Sequence, residues 1–372
     1  MRIAVYGASG YQAKLVLAEL AHRDIDMVLV GRNAARLCEA AATVGVADAE
    51  ERVADTDDHE TIVAAFRECE VVINCAGPFT TSGHAVIRAA IAAGSHYVDT
   101  AGEQLYIKTV FDTFPGDAER AGVTVIPATN DACVPGDLIA RLLAERIQPI
   151  EEITVSHFIV GGGGPSRGSL RSVVETIEAI KAGGLSYDDG AWCTGTPARH
   201  TSVTLPGASQ PTAVVKFPLP EVVTIPHHVR VRHVESLAEA ALSARLSTPL
   251  TPEIINTLPE GPTDEGRRTQ RFTYLVDVTG ADGQRARGAV RGPDTYGTTA
   301  VIAVEAARRL VTDSAKPGVL TPAQAYDPTS FLNFLAPHGI SWAITASDDG
   351  PTADGLSADG PAAGEPAAGG GP

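Results

Sequence analysis

The chain has 372 residues, 44% of them hydrophobic and 20% charged. This is a globular composition, and the length suits two domains or one domain with a large insertion. A formal net charge of −16 excludes any general attraction for nucleic acid or an anionic membrane surface, so neither is expected as a partner.

The first expected element is a short buried strand over residues 2–6. It runs into Gly7-Ala8-Ser9-Gly10-Tyr11, then an apolar-periodic segment with Leu15, Val16, Leu17 and Leu20, and a second strand at 27–30 that ends in Gly31-Arg32-Asn33. Strand, glycine turn, helix, strand is the pattern of a dinucleotide-binding βαβ unit. Gly7 permits the tight turn and Gly10 lets the backbone approach a pyrophosphate. Ala13 is small enough for close helix–sheet packing, and the free N–H groups at the helix start face the phosphate charge. The spacing is G-x-x-G-x-x-A rather than the commoner G-x-G-x-x-G, so a purely structural turn is the competing reading. An NAD-type unit would place Asp or Glu at the end of the second strand for the ribose 2′-hydroxyl. Here Arg32 and Asn33 stand there, and a guanidinium suits a 2′-phosphate. NADP(H) is therefore the expected cofactor, unless Arg32 is simply an exposed residue before the next helix.

A helix is expected over 34–43, then a thin strand at 51–54, with Asp55 at its end beside the adenine. Helix 58–69, strand 71–75, helix 83–93, strand 96–100, a helical stretch to 121 broken at Pro115 and strand 123–127 follow. This alternation predicts a Rossmann doubly wound parallel sheet with right-handed crossovers. Ligands of such sheets bind at the carboxyl edge of the strands. Ala76, Gly77 and Pro78, with Thr100, Gly102 and Asn130, are accordingly assigned to the cofactor. A helix opens near Pro135.

From Glu151 the texture changes. Strand-like stretches at 153–160, 214–217, 222–231, 271–279 and 284–291 surround a helix at 170–182, and Ala281-Asp282-Gly283 is a good hairpin turn. They predict an inserted second α+β domain of largely antiparallel sheet, with a sheet face that would serve a homodimer. A helical pattern returns at 296–311. The expected domains are 1–136 for the nucleotide, 137–292 for substrate or oligomerisation and 293–345 for helices returning to the first domain. Residues 346–372, acidic and rich in Gly, Pro and Ala, lack the apolar content to fold.

The five cysteines, Cys38, Cys69, Cys75, Cys133 and Cys193, are scattered and form no Cys-x-x-Cys or Cys/His cluster. Neither a disulfide framework nor a zinc site is expected, and a reducing compartment fits. No charged-then-apolar leader precedes the first strand and no run approaches ~18 apolar residues, so a cytoplasmic protein is expected.

Four motifs occur in one order: Tyr6-Gly7-Ala8-Ser9-Gly10-Tyr11, Gly31-Arg32-Asn33, Asn74-Cys75-Ala76-Gly77-Pro78-Phe79 and His96-Tyr97-Val98-Asp99-Thr100-Ala101-Gly102-Glu103. With Pro293-Asp294-Thr295-Tyr296-Gly297 and Pro317-Gly318-Val319-Leu320-Thr321-Pro322, the chain resembles the saccharopine dehydrogenase-like oxidoreductases. That family includes saccharopine reductases and the trans-acting enoyl reductases. The resemblance implies a Rossmann domain, an inserted substrate domain and NADP-linked hydride transfer. One segment departs from the pattern: Thr129-Asn130-Asp131-Ala132-Cys133 has Asn130 where relatives often carry an aromatic.

Hydride transfer needs orientation, exclusion of water and a proton source. Glu103 and Asp131, both just past strands, are the candidate carboxylates. Glu103 would orient the nicotinamide or bind a cationic amine, or serve only a helix dipole; Asp131 is otherwise a turn residue. His227 is a candidate proton donor, in Pro226-His227-His228 at the end of a strand. Ser166, Arg167, Ser169 and Arg171, after four glycines, would clamp a carboxylate or phosphate, or merely cap a helix. Tyr296 is added to the substrate side. The function expected is an NADP(H)-dependent oxidoreductase reducing an activated C=N or C=C bond of a small metabolite. Alternatives are an amine-condensing enzyme with a recycled nucleotide and a non-catalytic NADP-binding sensor or scaffold.

Overall fold

The computed structural model describes residues 1–246, 250–313 and 315–346. The expectation for 346–372 therefore falls, past Ala346, outside the described residues.

The first six strands are β1 (Arg2–Tyr6), β2 (Asp26–Gly31), β3 (Glu50–Val53), β4 (Val71–Asn74), β5 (His96–Asp99) and β6 (Thr124–Ile126). Except for the edge strand β3, they are buried almost throughout, as a parallel sheet covered by helices on both faces requires. Their order is β6-β5-β4-β1-β2-β3 and every pairing is parallel. This is the Rossmann order, whose strand sequence reverses between β1 and β4 and opens a crevice there. Pro115 divides two helices, Gln104–Thr113 and Pro115–Ala121, by occupying the first position of the second, where its missing N–H is harmless.

The remaining strands are β7 (Ile150–Val160), β8 (Leu185–Asp188), β9 (Ala191–Thr194), β10 (Ser202–Val203), β11 (Thr212–Lys216), β12 (Val231–Glu239), β13 (Arg271–Gly280), β14 (Arg285–Pro293), β15 (Gly318–Val319) and β16 (Ser341–Ala346). All but β15 belong to a second sheet of order β10-β11-β12-β7-β13-β14-β16, with the β8–β9 hairpin beside β12. It is antiparallel apart from the β12–β7 pair. The C-terminal segment rejoins both sheets, β15 beside β6 and β16 beside β14.

Two expectations are corrected. Residues 222–231 are not a strand: Glu221–Thr224 is a helical turn and Ile225–His227 a 3₁₀ turn, and the strand begins at Val231. Val222, Val223 and Ile225 are completely buried, so packing on all sides overrides the β preference of a branched run. The helix expected at 170–182 is two, Arg167–Glu175 and Ile177–Lys181, meeting at Thr176.

One hydrophobic core runs through both sheets. Helix Val134–Ala144 lies against β13 and β14, and helix Thr295–Thr312 packs on helix Tyr11–His22, β4 and β5. The carboxyl edge of the Rossmann sheet consequently faces elements of the second domain.

Candidate active site

Each strand exit contributes one group to a row along this edge. At β1, Gly7 has φ +76°, and a Cβ there would lie 2.8 Å from the Ala76 Cβ. Only glycine tolerates both the backbone conformation and the approach. Gly7 and Ala8 donate to the Val30 carbonyl (2.9 and 3.1 Å), which fixes the turn. Helix Tyr11–His22 begins at Gly10 with no side chain capping it, so its first N–H groups are open to an anion. Ser9 is half-buried in this turn. Tyr11 turns away: its hydroxyl donates to the Pro262 carbonyl (2.7 Å) and its ring packs edge-on against Tyr296 at 5.2 Å.

At the end of β2, Arg32 is exposed and makes no hydrogen bond or ion pair among the described residues. Asn33 caps helix Ala34–Val44, accepting from the Arg36 N–H at 3.1 Å. Asp55 follows β3 and holds its own turn through the Asp57 N–H (3.3 Å).

The exits of β4 and β5 meet at Glu103. Glu103 is 5% exposed and precedes helix Gln104–Thr113, yet its carboxylate serves a different helix. Oε1 accepts from the Phe79 N–H (3.1 Å), the first residue of helix Phe79–Ala93, and from Ser172 Oγ (2.6 Å); Oε2 accepts from the Gly102 N–H (3.2 Å). A negative charge is favoured at a helix N-terminus, and this contact accounts for the helix starting at Phe79 rather than near Gly83. Beside it Gly102 is open, with nothing within 4 Å of an added Cβ.

Asn130, past β6, is 5% exposed. Its amide donates to the Thr100 (3.3 Å) and Ala101 (2.7 Å) carbonyls, which fixes the orientation of the group, and leaves Oδ1 buried without a partner among the described residues. An orphaned buried acceptor carries a free-energy penalty unless a ligand satisfies it. Asp131 is also buried; its oxygens accept from Thr299 (2.8 Å) and from Tyr274 (2.5 Å). Burial raises its pKa against those hydrogen bonds. Tyr274 in turn stacks on His157 at 3.9 Å, and His157 Nε2 lies 2.9 Å from Glu221.

The substrate-side residues are partly gathered. Ser166 caps helix Arg167–Glu175, its N–H donates to the Tyr296 hydroxyl (2.7 Å), and Ser169 contacts the same hydroxyl at 2.9 Å. Arg167 leaves a buried Nε without a partner among the described residues, while Arg171 points to Asn256 (2.8 Å) at the surface. His227 is not brought to this row. Its ring stacks on Phe111 at 4.1 Å, eight residues along the helix that starts after Glu103, or ~12 Å away along the axis. Burial against that face lowers its pKa.

Two partners escaped the sequence reading. Ser172 shares a helix face with Ser169, at a spacing of three, and bonds Glu103 across 69 positions. Asp99 is fully buried and accepts from Tyr97 (3.0 Å), Tyr106 (2.7 Å) and the Ala101 (3.1 Å) and Ala128 (2.8 Å) N–H groups. It holds the β5 exit to the β6 exit, and so carries Glu103 and Asn130 in fixed relation. Its position at a strand end was the available signal.

The row from Arg32 to Asn130 crosses β2, β1, β4, β5 and β6, four strand spacings or ~19 Å. The glycine cradle, the open helix start and the orphaned Asn130 oxygen fit a dinucleotide laid along it.

Residues 3–126 match the model of the saccharopine dehydrogenase NADP binding domain. This makes NADP(H) the nucleotide of the domain. Over 154 residues the chain is 29% identical to a lipid droplet localized protein of Caenorhabditis elegans, a match covering 39% of this chain and 36% of that one. Over 148 residues it is 30% identical to a trans-acting enoyl reductase of Mycobacterium tuberculosis, covering 39% and 35%. The chain thus spans little more than a third of the length of these relatives. A saccharopine dehydrogenase (L-Glu forming) from Saccharomyces cerevisiae, 14% identical, superposes with a TM-score of 0.59 over 93% of this chain and 100% of that one; the likeness is one of fold.

Proposed function

Starting from a chain whose residues 3–126 match the saccharopine dehydrogenase NADP binding domain, we propose an NADP(H)-dependent oxidoreductase that delivers hydride to an activated C=C or C=N bond of a small metabolite. The observation that carries this reading is the buried Glu103 carboxylate, held by both domains beside the open Gly102 and the orphaned Asn130 oxygen. The nucleotide, when bound, supplies the hydride. Gly7–Gly10 and the helix start behind them would hold its pyrophosphate, Arg32 its 2′-phosphate, and Asn130 Oδ1 would accept from the nicotinamide carboxamide. Glu103 orients the reacting groups. Asp131, tied to Tyr274 and Thr299, acts as a positioning group for the Asn130 turn. Ser166, Ser169, Arg167 and Tyr296 form the substrate's polar end. The C=C arm draws support from the relatives called trans-acting enoyl reductases.

The test is a fluorescence titration with NADPH and NADH. Wild type should prefer NADPH, and Arg32→Ala should weaken NADPH binding roughly 10- to 100-fold, the worth of hydrogen bonds to a charged group, with NADH little changed. A wild-type chain that binds neither nucleotide refutes the reading. NADPH oxidation with an enoyl thioester, compared with a 2-oxo acid plus an amine, then separates the two bond types.

A further inference from the structure

Far along the second sheet from this cleft, four side chains from three segments converge. His233 on β12 lies opposite Glu152 on the parallel strand β7, and Glu235, two residues on, shares that face. The loop at Arg199–His200 covers them. The Arg199 and His200 N–H groups donate to the Glu235 carboxylate at 3.0 and 3.3 Å, which pins the loop and sets the His200 ring beside Glu152, Nε2 to Oε1 2.5 Å. One ligand atom each from Glu152, His200 and Glu235 lies within 4.8 Å of the others.

His233 supplies an independent sign. It is 4% exposed, and its Nδ1 is bonded to Asp188 at 2.6 Å. Its Nε2 is buried without a hydrogen-bond partner among the described residues and faces Glu235 Oε2 across 3.8 Å. That gap is too long for a hydrogen bond. In the tautomer that gives the Nδ1 proton to Asp188, Nε2 aims a lone pair into the cluster; the carboxylates of Glu235 and Asp188 outweigh burial in favouring the protonated ring, whose place beside Glu235 is the one a bound cation would take. A carboxylate on the far nitrogen of a histidine is also the usual outer partner of a metal-bound imidazole.

We propose that Glu152, His200, His233 and Glu235 bind one divalent transition cation of the zinc class. Two imidazole nitrogens and two carboxylates are a zinc-type donor set. Ligand atoms about 3.4 Å apart around a tetrahedral ion are reached from this arrangement by small side-chain movements. Asp188, Glu152 and Glu235 bring three negative charges against the cations Arg199 and Lys216. Lys216 is turned to the Thr196 carbonyl and hydroxyl (3.0 and 2.8 Å), and Arg199, which bonds Glu152 and Asp188, is 44% exposed and can withdraw. The two histidines are 33 positions apart in sequence, so no metal-ligand spacing announces the site.

The experiment titrates zinc chloride into the full chain after chelator treatment, by calorimetry, with cobalt(II) absorption as the readout of geometry. Wild type should take up one equivalent, give tetrahedral cobalt bands and gain thermal stability with zinc. His200→Ala, which removes a half-exposed ring and should leave the circular dichroism unchanged, is expected to weaken binding tenfold or more and to abolish the thermal gain. Arg199→Ala should bind zinc at least as tightly as wild type. No saturable uptake by wild type, or an affinity that His200→Ala leaves unchanged, overturns the proposal.

Discussion

Asp99 sits with no exposed surface between β5 and the turn after β6, and burial pushes its pKa up to about 6 although four donors oppose the shift. A carboxyl that holds its proton more tightly folded than unfolded favours folding at low pH; stability falls as pH rises from its ordinary value near 3.8 through 6. A shift of about two units is on the order of 3 kcal/mol. Asp99→Asn cannot ionise, so its stability relative to wild type should improve by about that amount between pH 4 and pH 7. Urea unfolding at the two pH values measures this, and a wild-type advantage that grows with pH would mean that Asp99 is held ionised instead. The residue belongs to a motif visible in the sequence, but its role was not. Strand alternation marks which end of β5 faces ligand, whereas the hydroxyls of Tyr97 and Tyr106 and the Ala128 N–H reach it only through the folded sheet. Glu103 was legible as a strand-end carboxylate for the same reason, and its bond to Ser172 was not.

Among the elements, helix Arg167–Glu175 bridges the domains. Ser166 and Ser169 meet Tyr296 at one end and Ser172 meets Glu103 along the same face. Tyr296→Phe keeps the ring contact with Tyr11 and removes the acceptor of the Ser166 N–H, a residue 4% exposed. An orphaned buried donor costs about 1–3 kcal/mol. Amide exchange over the first turn of this helix should therefore accelerate roughly 5- to 150-fold, with the Rossmann strands unchanged; equal protection in the variant would show that the hydroxyl does not hold the turn. Elements of the first sheet were readable because buried parallel strands are continuous apolar runs and the helices between them are periodic. The second domain was less so. Val222-Val223-Thr224-Ile225 has strand composition and folds as turns, because a short segment enclosed on every side has no periodicity to declare. β16 draws its stability from β14, a neighbour distant in sequence.

At the scale of the whole molecule, the returning helix Thr295–Thr312 makes the two sheets one unit, and Glu305 is its fastening. It is 1% exposed and meets three guanidiniums, Arg23 (2.9 Å), Arg308 (2.8 Å) and Arg309 (2.7 Å). Arg309 also lies over the Phe331 ring at 4.8 Å. Burial works to raise the Glu305 pKa, but the hydrogen bonds from Arg308 and Arg309 prevail and hold it below the ordinary value. A depressed carboxylate contributes stability that is complete above its unfolded pKa and disappears as pH falls through the folded one. Glu305→Gln leaves the arginines without their counter-charge and should destabilise the chain by about 3 kcal/mol at pH 7. The gap should narrow below pH 4, where the wild-type carboxyl also takes up its proton. Because one hydrophobic core passes through both sheets, calorimetry should record the loss as a shift of a single transition. Two resolved transitions, with only one moved by Glu305→Gln, would mean that the sheets unfold separately and that this cluster secures the Rossmann side alone.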